Sequence, residues 1–114
     1  MDSSAALAEL FGVSTQVVEA VVLDAAGAVE ASRSTGEARA RALAESGAEL
    51  LAAAGHVRPA ERVERVQVDL ERGSLVVATD GERTLVATTV ARPTAALVAH
   101  DLREVLRRSA ETEG

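Results

Sequence analysis

Chemistry in this sequence has to come from two histidines, eighteen carboxylates, twelve arginines and scattered hydroxyls, because it contains neither cysteine nor lysine. A helix-borne metal site needs ligands about one turn apart, at i, i+3 or i+4. His56 stands alone in a polar stretch after Gly55. His100 has only Glu104 at such a spacing, a carboxylate of the kind that solvated helices commonly carry. Asp101 follows His100 directly, so on a helix the two side chains diverge. Nucleophilic catalysis finds no Gly-x-Ser-x-Gly elbow and no thiol. Gly27, Gly47, Gly55, Gly73 and Gly81 stand singly, which leaves no glycine-rich loop to wrap a phosphate. No catalytic residue, cofactor or metal is assigned, and the expectation is that the chain is not an enzyme.

Arg33, Arg39 and Arg41 are the nearest thing to a basic cluster. They could meet an acidic or phosphorylated partner, although the interleaved Glu37 also suits a solvated helix start. A net charge of −6 argues against nucleic acid, since phosphate contacts need clustered positive charge. Phe11 is the only aromatic residue, so nothing is on hand to stack on bases or flat cofactors. Disulfides are impossible, and no apolar run approaches the roughly 20 residues that span a bilayer. Met1-Asp2-Ser3-Ser4 lacks the basic flank of a secretory signal. A cytoplasmic chain without direct membrane insertion is expected.

The elements that would position these residues follow from periodicity. Residues 4–11 have helical spacing, with Asp2 or Ser3 as cap and Gly12 as the end. Val17–Leu23 is β-branched and apolar at nearly every position, which suits a strand buried on both faces. Asp24-Ala25-Ala26-Gly27 reads as a turn into a second strand, 28–33. From Gly36 to Gly55 the period becomes helical, with Ala40, Leu43, Ala44, Gly47, Leu50, Leu51 and Ala54 on one stripe. Ala38, Ala42, Ala48 and Ala52 widen that apolar surface. Either alanine is there as a good helix former, or the helix packs against a second partner as well as its own sheet. After a polar loop carrying Pro59, strands are expected at 64–70, 75–79 and 83–90, with turns at Glu71-Arg72-Gly73 and Asp80-Gly81-Glu82. Thr94 caps a final helix whose buried face is Ala95, Val98, Ala99, Leu102, Val105, Leu106 and Ser109. Residues 111–114 should be a loose tail.

The order α-β-β-α-β-β-β-α specifies one α+β domain over residues 1–114, with its core at about 5–110. It holds a five-stranded antiparallel sheet, the long helix on one face and the terminal helices on the other. Four stretches resemble the Roadblock (dynein light-chain) family, including its short bacterial members. They are V-E-A-V-V-L-D-A-A-G-A-V-E-A-S at Val18–Ser32, the Ala/Leu-rich helix 38–54, the meander 66–90, and P-T-A-A-L-V-A-H-D-L-R at Pro93–Arg103. The resemblance implies a Roadblock/profilin-like sandwich that pairs with its own copy or a paralogue. Middle strands would join edge to edge and long helices would lie side by side. Carried onto this sequence, it implies a dimer interface at Ala40, Ala44, Gly47, Ala48, Leu51, Val66, Gln67, Val68 and Asp69. It also implies a partner, a small Ras-like GTPase whose nucleotide state the dimer regulates. A scaffold subunit with no effect on hydrolysis is the alternative. A small-ligand sensor is more remote, because an Ala-rich interior offers few polar groups to orient a ligand.

Overall fold

The computed structural model describes the backbone of residues 2–113 and the side chains of residues 2–110. Helix α1 (Ser3–Val13) is opened by Asp2, whose carboxylate accepts from the Ala5 N–H at 2.8 Å. That satisfies one of the amides orphaned at a helix start. Gly12 does not end α1. The helix continues through it, and the Ser14 N–H still donates to the Leu10 carbonyl. Strands β1 (Val17–Leu23) and β2 (Val29–Arg33) form the expected hairpin. Asp24 Oδ1 accepts from the Ala26 and Ala28 amides, and Gly27 sits at φ 87°, where a Cβ is costly.

Helix α2 (Glu37–Val57) runs two residues past Gly55, the expected stop. The meander is β3 (Arg65–Leu70), β4 (Gly73–Thr79) and β5 (Thr84–Thr89). Gly73 belongs to β4 and not to the turn before it. Its backbone passes so near β5 that any Cβ would collide with the Thr89 carbonyl, while the Thr89 hydroxyl accepts from the Ser74 N–H at 3.0 Å. Helix α3 (Ala95–Glu113) starts where the Thr94 carbonyl accepts from Leu97 and Val98. Ala95 is exposed, because the buried face begins one turn later at Val98. The side chains of the expected loose tail, 111–114, lie outside the described residues.

The sheet order is β2-β1-β5-β4-β3, antiparallel throughout, so β2 and β3 are its two edges. Alternation of side chains across the pleat creates two cores. On one face Ala20, Val22, Val76, Leu85 and Ala87 meet α1 and α3 through Leu10, Val98 and Leu102. On the other, Val21, Leu23, Val77 and Val86 meet α2 through Ala40, Leu43 and Ala44. Full burial of one such Val or Leu contributes roughly 1.5–3 kcal/mol. This is the layered arrangement expected from the sequence.

Candidate interaction surface

Two features define the surface around β3. The first is its free edge. The Thr79 N–H donates to the Glu64 carbonyl at 3.0 Å, and the register pairs Val66 with Val77, Val68 with Leu75 and Leu70 with Gly73. Bonded and non-bonded pairs alternate in an antiparallel ladder. The backbone groups of Val66, Val68 and Leu70 therefore turn toward β4. Those of Arg65, Gln67 and Asp69 turn outward, with no strand beyond them among the described residues. The second feature is the apolar face beside that edge. Val66 and Val68 share the α2 side of the sheet with Val77 and Leu75 and are only half-buried, while Leu70 is 65% exposed.

The polar face of the same strand is held in place. Asp69 Oδ1 accepts from Ser74 Oγ at 2.6 Å and from Gln67 Nε2 at 2.8 Å. The Ser74 bond, then the Gln67 bond, holds the Asp69 carboxyl below its usual range, so it stays an acceptor and is unsuited to donating a proton. What this surface offers chemically is backbone hydrogen bonding and apolar contact.

The residues expected at an interface part into groups. Val66, Gln67, Val68 and Asp69 lie together on the edge strand. Leu51 is half-buried and packs against the α2 core. Ala40, Ala44 and Gly47 are buried against the chain's own sheet, so they support α2 from beneath. Ala48 is exposed, but with Arg41 and Glu45 it lines a groove of about 600 Å³ between α2 and β2, the opposite edge. At 100° per residue, the other flank of α2 carries Ser46, Leu50, Ala53 and Val57. Val57 is 78% exposed, and Leu50 packs against the core on the α2 side of the sheet. Periodicity gave no means of choosing between these flanks, since the choice depends on how α2 crosses the sheet.

The arginine group disperses. Arg39 donates from Nε and Nη2 to Glu19 at 3.0–3.2 Å, and Arg33 stacks over Phe11 at 4.4 Å. Arg41 lines the groove beside β2. Among the described residues no group of three or more His, Cys, Asp or Glu is placed to hold a metal ion, and no helix is long and apolar enough to cross a membrane.

No family model matches the sequence, and neither does any curated protein. Solved structures do match. A Roadblock/LC7 domain from Streptomyces avermitilis superposes with a TM-score of 0.84 at 19% identity, covering 98% of each chain. The fold is that of the Roadblock/LC7 domain. Among similar chains with this fold is the gliding protein MglB from Thermus thermophilus. It has a TM-score of 0.59 at 19% identity and covers 93% of this chain and 89% of that one. An MglB chain with a tetrameric arrangement gives 0.56 at 20% identity, over 90% and 91%. The Roadblock/LC7 likeness thus spans nearly the whole chain and confirms the expected sandwich.

Proposed function

We propose that this chain is a non-catalytic cytoplasmic regulator of the Roadblock family that pairs with itself, or with a paralogue, through β3 and docks a small Ras-like GTPase. The observation that carries the pairing is the outward edge of Arg65, Gln67 and Asp69 beside the half-buried Val66 and Val68. An unpaired strand edge is an aggregation hazard unless something covers it, and a second β3 would cover the β3 edge of each copy. The flank of Leu50, Ala53 and Val57 would then approach its counterpart in the second copy. The self-association attributed to one MglB chain supports this reading.

The GTPase rests on the resemblance carried by residues 18–32, 38–54, 66–90 and 93–103, and on likeness to a gliding protein. Such a regulator needs no reactive group of its own, because it would reposition groups of the GTPase. The test is GTP hydrolysis by each small Ras-like GTPase encoded beside this chain, with and without the purified protein. A changed rate together with co-elution is expected. Co-elution at an unchanged rate would leave the scaffold reading, and neither effect with any such GTPase would overturn the regulatory one.

A further inference from the structure

The loop between α2 and β3, residues 58–64, crosses the end of the sheet beside α3. It leaves two adjoining cavities of about 520 and 530 Å³ that share Arg62, Glu64 and Arg103. Arg58 and Arg65 also line the first. In a chain of net charge −6, guanidinium groups from a loop, a strand and a helix thus converge on one cleft. Among the described residues, neither the Arg65 nor the Arg103 guanidinium makes an ion pair or hydrogen bond. The other two are held loosely: Arg58 Nη1 is 3.5 Å from Glu61 Oε1 and Arg62 Nη2 is 3.7 Å from Glu64 Oε1, in solvent-exposed pairs. Pairs of that kind are easily exchanged for a better acceptor. Asp80, also on the lining, is engaged by the amides of Glu82 and Arg83. Apolar surface lies within reach at Val57 in the first cavity and Ala110 in the second.

We propose that this cleft docks an acidic segment of another protein. Arg103 and Arg65 would take its carboxylates, and Ala110 an aliphatic side chain. The planar guanidinium fork matches a carboxylate at two points. The volume and the apolar walls suit a stretch of polypeptide better than a lone phosphate. Arg103 is on α3, across the sheet from α2.

The test is fluorescence anisotropy with a labelled peptide of alternating acidic and aliphatic residues. Inorganic phosphate and phosphatidylserine vesicles serve as rival ligands. The unaltered protein should bind the peptide, more weakly as salt rises. The variant Arg103→Glu should bind roughly tenfold or more weakly, with unchanged melting temperature and solution mass. Arg41→Glu, on the far groove, should bind as the unaltered protein does. Equal binding by Arg103→Glu would overturn the proposal. So would no binding at millimolar peptide, or capture of phosphate or vesicles but not peptide.

Discussion

Gly47 of α2 lies directly over Val86 at the centre of the sheet, so close that a Cβ on the glycine would overlap the valine's Cγ2. Both belong to the α2 side of the core, and Val86 is fully buried. The missing side chain sets how near the helix lies to the strands. Gly47→Ala should therefore cost about 1–3 kcal/mol by overpacking, despite alanine's better helix propensity. A Cβ at Gly55, on the same helix, meets nothing within 4 Å. Gly55→Ala should stabilise by roughly 0.5–1 kcal/mol. Urea denaturation of both variants checks the pair, and equal shifts would contradict the close approach.

Glu19 ties the start of β1 to the first turns of α2. Its carboxylate accepts from Arg39, and from Thr88 Oγ1 at 3.3 Å. The Arg39 hydrogen bond, opposed in part by burial, holds the Glu19 carboxyl below the usual range. Stability gained from a lowered carboxyl pKa is fully present above the unfolded value, about 4.3, and is lost as pH falls through the folded one. Arg39 is about half exposed, so the pair contributes no more than about 1 kcal/mol. Glu19→Gln should thus be less stable than the unaltered chain at pH 6, and the gap should close below about pH 4. Chemical denaturation across that range measures it.

Substitutions on α2 separate support from contact. Ala44 is 7% exposed, and Ala44→Leu should lower the melting temperature through overpacking whether or not a second copy binds. Ala53 is exposed on the flank toward β3, so Ala53→Glu should weaken self-association roughly tenfold at unchanged monomer stability. Ala48→Glu, facing the β2 groove, should leave association unchanged. Sedimentation velocity at several concentrations distinguishes the three.

Much of this molecule is legible in its residues. The β-branched run at Val17–Leu23 and the Asp-led turns at Asp24 and Asp80 fix the strands, because their physics is local. Gly12 and Gly55 misled as helix ends: each lies in the last turn of its helix, and one glycine there costs only about 1 kcal/mol, too little by itself to stop the helix. The arginines at 33, 39 and 41 look like one cluster only until the partners are known. Phe11 and Glu19 lie about twenty residues away, and periodicity carries no information on such pairings. The flank of α2 that sits beside β3 is hidden for the same reason: it depends on how the helix crosses the sheet.

Self-pairing through β3 is tested most directly by the solution mass from light scattering at micromolar concentration, for the unaltered chain and for Gln67→Pro. The Gln67 N–H points away from β4, so proline removes an outward donor and spares the β3–β4 ladder. The expected result is twice 11.8 kDa for the unaltered chain and 11.8 kDa for a still-folded Gln67→Pro. A mass of 11.8 kDa for the unaltered chain would contradict it.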